Sequence, residues 1–105
     1  MNTIGRLFVY ETLRNPQTVA HVLGRDIPYR PAEAVGVKKV PVEIHPGGTY
    51  YDLIDSPYHS THGHVMELNP EEFELMDNWE DKYERDLVEL HDGKQAFAYV
   101  LSSDL

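Results

Sequence analysis

The hydrophobic residues of the chain fall in short runs, and the first run predicts a buried strand. Residues 4–10, Ile-Gly-Arg-Leu-Phe-Val-Tyr, are rich in the β-branched and aromatic side chains that favour strands. Residues 11–16 predict a loop, because Pro16 pushes the residue before it out of the helical region. Apolar residues of 19–23 then recur at helical spacing and Gly24 follows, so a short helix is predicted to end there.

The middle of the chain gives the weakest pattern. Residues 26–61 hold most of the prolines and show little periodicity. Only two short strands are predicted there, near residues 34–40 and 49–54, and irregular links are expected between them.

A regular pattern returns after this region. Residues 63–68 alternate as in a strand. Asn69 and Pro70 then mark a helix start, with Asn as the cap, Pro at the first helical position and Glu72 three residues after the cap. The helix is predicted to be short and to end around residues 77–78.

The last part of the chain predicts a hairpin. Its strands are residues 83–91 and 95–101, with the turn at Asp92-Gly93. Short strands and two or so short helices at irregular intervals favour an α+β fold, a small mixed β-barrel. At 105 residues, the sequence predicts a single domain over residues 1–105.

Composition narrows the class of protein. Hydrophobic residues make up 41% and charged residues 26% of the chain, as in ordinary globular proteins. The apolar runs are too short to span a membrane, and the N-terminus carries no secretory signal pattern. No cysteine is present, which excludes disulfides, thiolate nucleophiles and sulfur-based zinc sites and fits a cytoplasmic location.

The formal net charge of −9 argues against a nucleic-acid partner, because binding to phosphates requires clustered Lys and Arg. The nine basic residues are instead scattered along the chain. Neither nucleic acid nor membrane is therefore an expected partner, and the oligomeric state stays open.

Two segments are candidates for chemistry. Residues 10–14 form a polar loop directly after the first strand, where backbone N–H groups can converge on an anion; the alternative is an ordinary connection. In the acidic segment 76–85, Glu80 follows Trp79. A carboxylate beside a large aromatic ring is partly desolvated, which raises its pKa toward that of a general base; the alternative is a solvated acidic surface.

Three histidines form a third candidate. His62 and His64 share one side of a strand, with His59 nearby, and imidazoles so placed can bind a divalent metal. No HExxH helix and no third ligand at a matching spacing accompany them. We therefore interpret them as surface or hydrogen-bonded histidines and predict no metal site.

Several segments together resemble one family. The chain is similar to gamma-glutamylcyclotransferase-like proteins, including the small plant avirulence-induced-gene-like proteins, from residue 7 to residue 101. In chain order, the matching segments are the strand and loop 7–14, the central strand 62–68, the leucine-aspartate-x-x-glutamate segment 75–80, the tyrosine-x-arginine strand 83–88 and the closing strand 96–100. Each motif alone is weak, and their order and spacing carry the resemblance.

The resemblance implies a site and a reaction. Glu80 falls on the family's catalytic glutamate, and Tyr10, Glu11, Thr12 and Leu13 fall on its substrate-binding loop. The implied enzyme cyclises a γ-glutamyl amine or amide to 5-oxoproline and releases the amine, with Glu80 as general base. This intramolecular aminolysis needs no cofactor and no metal, and the implied partner is a small γ-glutamyl-type molecule.

One position departs from the family pattern. Glu11 stands where the family has glycine, which removes backbone freedom and adds a negative charge near the expected substrate carboxylate. Three outcomes follow: Glu11 points away from the pocket, the substrate carries a cation there, or catalysis is lost. The alternative function is accordingly a non-catalytic module that binds a small ligand on the same fold.

Three further side chains receive structural interpretations. Trp79 is predicted to be a core residue or a pocket wall. Arg85 is expected to pair with a nearby carboxylate. Tyr99 is interpreted as a core tyrosine with one satisfied hydrogen bond, the alternative being a hydroxyl that reaches the pocket.

Overall fold

The architecture is a five-stranded barrel with two helices packed on it. A computed structural model describes residues 5–10, 16–45 and 48–101. In these ranges the elements are β1 (Gly5–Val9), α1 (Pro16–Leu23), β2 (Tyr29–His45), β3 (Gly48–Leu68), α2 (Pro70–Trp79), β4 (Tyr83–Leu90) and β5 (Gln95–Leu101). The strands follow one another around the closed barrel in the order β1-β3-β2-β4-β5. The predicted α+β barrel with two short helices is therefore confirmed.

Parallel pairing of β1 with β5 closes the barrel, with Leu7 opposite Phe97. The other strand pairs, β1–β3, β2–β3, β2–β4 and β4–β5, are antiparallel. Among the described helices, none has the length and apolar character needed to cross a membrane.

Both faces of β1 are buried, as its composition predicts. Phe8 and Tyr10 point into the barrel, where they join one apolar cluster. Leu7 and Val9 point outward into a second cluster, which the two helices cover. Each such side chain contributes roughly 1.5–3 kcal/mol by leaving water, so β1 lies between two cores and anchors both.

Helix α2 begins where the sequence predicts. The side chain of Asn69 accepts a hydrogen bond from the Glu72 amide at 2.8 Å, and the Glu72 carboxylate accepts one from the Asn69 amide at 3.1 Å. This reciprocal capping box follows Asn69-Pro70 directly. Phe73 and Met76 on the buried face then pack into the outer cluster, so the cap fixes how α2 lies on the barrel.

A bidentate ion pair joins the two helical regions. Arg25, just after α1, contacts the two carboxylate oxygens of Glu72 at 2.5 and 2.8 Å. The hydrogen bond from Arg25 is the main cause that holds the pKa of Glu72 below its usual range, against the opposing effect of burial. Gly24 permits the sharp exit from α1, with φ of 73°.

The middle of the chain differs from the prediction. Instead of two short strands with irregular links, β2 and β3 are long and form a continuous hairpin with a register shift at Gly36. Pro31 and Pro41 lie within the ladder. Among the described residues, β4 pairs with β2 only at Ala34 and Val35. Most of this edge of β2 therefore has no strand partner within the described ranges, and a missing N–H is tolerated on an open edge.

A bulge divides the hairpin in two. The register moves from Val35 opposite Ser60 to Val37 opposite Asp55, so residues 56–59 lie opposite Gly36 alone. Gly36 adopts a φ of 75° there, in the region that favours glycine. The outer half of the hairpin, residues 37–45 and 48–55, follows this bulge, and a bulge bends the strand that carries it.

Gly63 is required for a different reason, namely close approach. A Cβ atom at this position would lie 2.2 Å from the carbonyl oxygen of Val9 and 2.8 Å from the Phe8 ring. No side chain fits there without moving the backbone of β1. Gly63 thus sets the distance between β3 and β1 at the end of the barrel where β1 finishes.

We predict that Gly63→Ala destabilises the protein more than Gly36→Ala. At Gly36 a Cβ atom meets nothing within 4 Å, so the cost is the left-handed backbone alone, about 1 kcal/mol. At Gly63 the backbone must shift, which costs about 2–3 kcal/mol. Urea unfolding of both variants measures the difference, and equal midpoints would show that β3 and β1 have room to separate.

We also predict that acid weakens the protein through Glu72. Its folded-state pKa is lowered, so the stabilisation is present above the unfolded value of 4.5 and is lost as the pH falls through the folded value. Glu72→Gln keeps the capping hydrogen bond and removes the charge. The Tm of this variant should therefore fall less than that of the natural sequence between pH 6 and pH 3, and parallel curves would contradict the assignment.

Candidate active site

Glu80 lies at the corner between α2 and β4. Its amide donates to the Met76 carbonyl at 2.8 Å, which closes the helix, and its carbonyl accepts from the Tyr83 amide at 2.9 Å. The residue is 7% exposed. The candidate base is therefore a buried carboxylate on a backbone segment that is hydrogen-bonded on both sides.

Tyr10 follows β1 at the same end of the barrel. It is buried, and its ring stacks with Phe8 at 6.2 Å between centroids. The hydroxyl donates to the backbone carbonyl of Tyr99 at 2.5 Å. This bond fixes the point at which the chain leaves β1 and enters the predicted substrate loop.

Tyr99 lies between these two residues. Its hydroxyl donates to Asp77 Oδ1 at 2.7 Å. Burial raises the pKa of Tyr99 most, the hydrogen bond and charge of Asp77 raise it further, and the negative charge of Glu80 adds to them, against the opposing charge of Arg85. Tyr99 therefore stays protonated and acts as a hydrogen-bond donor, as its interpretation as a satisfied core tyrosine requires.

Arg85 completes this network from β4. Its Nε atom lies 2.9 Å from Asp77 Oδ1. The guanidinium also lies 4.9 Å from the ring centroid of Phe73 and 5.1 Å from that of Phe97, within cation–π range. The prediction that Arg85 pairs with a nearby carboxylate is confirmed, and the partner is Asp77.

The predicted site residues divide into two groups. Tyr10 and Glu80 both come close to Tyr99, one through a hydrogen bond to its carbonyl and the other through its charge. Glu11, Thr12 and Leu13 lie outside the described residues. Of the loop that is expected to hold the substrate, the structure therefore describes only Tyr10, its first residue.

The prediction for Trp79 as a core residue was wrong. Its side chain is 54% exposed, and Leu75 one turn earlier is 49% exposed. The buried residues of α2 and its C-cap are Glu72, Phe73, Met76 and Glu80, so Trp79 falls on the flank of α2. Glu80 is thus buried at the end of α2 while the adjacent Trp79 is half-exposed.

Sequence reasoning missed two contributors to this end of the barrel. Asp77 lies three residues before Glu80, a spacing that places both on one side of a helix and was the available signal. The outer half of the hairpin also reaches here, since Tyr83 donates to the Tyr51 carbonyl at 3.4 Å and the Leu101 amide to Asp52 Oδ1 at 2.9 Å. The sequence predicts a strand near residues 49–54, which includes Tyr51 and Asp52, but gives no sign of its contact with β4 and β5.

The three histidines have separate partners. His59 Nδ1 lies 2.6 Å from the Ser56 hydroxyl, His62 Nε2 lies 3.6 Å from Glu33, and His64 packs edge-on against Tyr29. Within the ranges that the structure describes, no three His, Cys, Asp or Glu residues come together as metal ligands. His62 lines a cavity of about 330 Å³ between the start of β2 and the β4–β5 turn, at the far end of β4 from Glu80.

The arrangement around Glu80 suits proton transfer. A buried carboxylate can take a proton from a bound ammonium group and return it later. Tyr99, Asp77 and Arg85 form a hydrogen-bonded chain beside it that packs α2 against β5 and β4. These contacts hold the C-terminal end of α2, so the Glu80 carboxylate has a fixed position.

Comparison with known proteins shows which proteins share this fold and which family the chain belongs to. Proteins with the same barrel fold include two from Arabidopsis thaliana, At3g28950.1 and At5g39720.1, whose solution structures are known. Their sequence identities are 23% and 22%, their TM-scores 0.75 and 0.78, and the matches cover 94% and 97% of this chain. A structure named gamma-glutamyl cyclotransferase has 14% identity and a TM-score of 0.71 over 95% of this chain.

The sequence match names the family. The profile described as gamma-glutamyl cyclotransferase, AIG2-like, matches residues 7–104. The chain belongs to this family. No curated protein matches it in sequence. The chain spans 62% of the first Arabidopsis protein, 71% of the second and 68% of the gamma-glutamyl cyclotransferase structure.

We predict that Tyr99→Phe lowers the free energy of unfolding by about 1–2 kcal/mol, since it removes the hydrogen bond to Asp77 inside the outer cluster. Tyr29→Phe is the matched control, because Tyr29 is 53% exposed and should change stability by less than about 0.5 kcal/mol. Urea unfolding gives both values. Equal effects would mean that the Tyr99 hydroxyl does not hold α2 in place.

Proposed function

We propose that the protein is a cofactor-independent enzyme that converts a γ-glutamyl amine or amide to 5-oxoproline and the free amine, with Glu80 as general base. The observation that carries the proposal is the placement of Glu80. It is a buried carboxylate at the end of α2, beside the strand end that leads into the predicted substrate loop, in a chain of this family.

The chemistry is balanced within one molecule of substrate. Glu80 takes a proton from the α-ammonium group, and the freed amine attacks the γ-carbonyl carbon. A new C–N bond closes the five-membered ring, and the original amide C–N bond breaks. Both protons lost by the α-nitrogen end on the released amine, so no water, metal or cofactor is consumed.

The protein's contribution is geometric and electrostatic. Holding the α-nitrogen near the γ-carbonyl makes the attack intramolecular, which supplies much of the rate. Backbone N–H groups of Thr12 and Leu13 are the expected donors to the oxyanion, and the hydrogen bond from Tyr10 to Tyr99 supports the start of that loop. These roles for residues 10–13 rest on the family match and on the position of Tyr10.

The wider proposal follows from the same chemistry. The substrate is a small molecule with a γ-glutamyl group, the cytoplasm is the proposed compartment, and the chain acts as a single domain. The second candidate is a non-catalytic module that binds a small ligand at this site, and its basis is Glu11 in place of the family glycine.

The test is release of 5-oxoproline from a panel of γ-glutamyl amino acids and γ-glutamyl amines. We expect release by the natural sequence and a loss of at least about 100-fold in Glu80→Gln, which keeps the shape of the side chain and removes the base. Glu84→Gln is the matched control, since Glu84 is exposed on β4 nearby and should leave the rate unchanged.

The variant Glu11→Gly separates the remaining outcomes. Release only after this change would mean that the loop glutamate blocks the family chemistry. If no substrate releases 5-oxoproline with the natural sequence, Glu80→Gln or Glu11→Gly, the enzyme proposal is contradicted and the binding module is favoured.

A further inference from the structure

A cavity of about 290 Å³ lies at the end of the barrel where β1 and β5 begin. These two strands are parallel, so their first residues share one end of the barrel, and Tyr10, which follows β1, lies at the other. The cavity is therefore separate from the candidate active site. Its apolar wall comes from Leu87, Ala96 and Phe97, and its charged side chains are those of Arg6 and Glu67.

Arg6 brings an unused hydrogen-bond donor to the wall of this cavity. Its Nε atom is buried, and among the residues that the structure describes no acceptor lies within hydrogen-bonding distance of it. A buried donor without an acceptor is costly, and more so when it belongs to a charged group. Native proteins contain few such groups, so the Arg6 guanidinium is well suited to an acceptor that a ligand supplies.

Glu67 lies directly opposite Arg6. The two residues pair in the antiparallel ladder of β1 and β3, and residues opposed in this way lie on one face with their Cβ atoms about 5 Å apart. Opposite charges at that spacing stabilise a sheet when they form an ion pair. Within the described residues, neither Arg6 nor Glu67 takes part in an ion pair. One positive and one negative group are therefore available side by side.

These two charges select a zwitterion as the ligand. A simple anion at Arg6 would be repelled by Glu67, and a simple cation at Glu67 would be repelled by Arg6. A molecule that carries a carboxylate and an ammonium group on the same carbon atom satisfies both with charge-assisted hydrogen bonds. The α-amino acids are such molecules, and the apolar wall of the cavity favours an apolar side chain.

We propose that this cavity binds a free apolar α-amino acid. The ligand carboxylate accepts from Arg6 Nε, the ammonium group donates to the Glu67 carboxylate, and the side chain packs against Leu87 and Phe97. This site goes beyond the proposed function and does not depend on it. Glu80 precedes β4, which begins where β5 ends, so the two sites lie at opposite ends of the barrel.

The closing experiment is an amide NMR titration with L-leucine and two analogues, isocaproate, which lacks the ammonium group, and isopentylamine, which lacks the carboxylate. We expect L-leucine to give saturable shifts at the amides of Arg6, Ala96 and Phe97. Each analogue should bind at least about tenfold more weakly, because one charged contact is lost. Leucine shifts centred on Tyr83 and Tyr99 instead, or no saturable shift at all, would overturn the proposal.

Arg6→Met keeps the length of the side chain and removes the guanidinium. It should weaken leucine binding at least about tenfold, and the urea midpoint should stay the same or rise, since the lost Nε atom has no partner among the described residues. Glu67→Gln, at an exposed position, should weaken binding by a similar factor and gives a second reading if Arg6→Met does not fold. Unchanged affinity in Glu67→Gln would overturn the assignment.

Arg30→Met is the matched control. Arg30 is exposed at the start of β2, lies outside this cavity and is in no ion pair within the described part of the chain. Its removal changes the net charge equally and should leave leucine binding unchanged. Equal weakening in Arg30→Met and Arg6→Met would show a general effect of charge and would overturn the site.

The failure of this proposal is distinguishable from failure of the proposed function. Release of 5-oxoproline tests Glu80, whereas the leucine titration tests the opposite end of the barrel. Glu80→Gln should bind L-leucine with the affinity of the natural sequence, whether or not the natural sequence releases 5-oxoproline. Loss of leucine binding in Glu80→Gln would place the ligand at the candidate active site and overturn the second site.

Discussion

The hydrogen bond from the Tyr99 hydroxyl to Asp77 is the contact on which the arrangement of the candidate site depends. Through it β5 is attached to α2, and through Arg85 the same carboxylate is attached to β4. The backbone of Tyr99 also receives the hydroxyl of Tyr10. One buried residue therefore sets the relative positions of the helix end that carries Glu80 and the strand end that carries Tyr10.

This constraint gives the ion pair between Asp77 and Arg85 a role in the geometry of the site. Asp77 and Arg85 are partly exposed, and an ion pair of that kind contributes little to stability by itself. The buried Tyr99 changes the situation, since loss of an acceptor for a buried hydroxyl costs more than loss of a contact at the surface. The network is thus better understood as a means of holding geometry than as a source of stability.

How much the sequence predicts depends on where local interactions decide the structure. The cap Asn69-Pro70-Glu72 and the turn at Asp92-Gly93 are set by neighbours in the chain, and the helix and hairpin that they predict are present. The long β2–β3 hairpin is decided by pairing between distant residues and by an open edge that tolerates proline. Proline content therefore misled the prediction there.

For the candidate site as well, local sequence patterns were predictive and features set by tertiary packing were not. The family match singled out Glu80 and the loop from Tyr10 to Leu13, and Arg85 was expected to pair with a carboxylate. The exposure of Trp79 was not predictable from its neighbours, because which flank of α2 faces the barrel is fixed by the packing of Phe73 and Met76.

Closure of the barrel by β1 and β5 has a consequence for the order of folding. Contacts between residues close in sequence cost little chain entropy and form early, whereas contacts between distant strands come late. The β4–β5 hairpin is local, but β1 meets β5 only across the rest of the barrel. Because Tyr10 follows β1 and Tyr99 lies on β5, we expect a partly folded chain to hold α2 and its glutamate without an assembled site, so that binding competence appears only in the last step of folding.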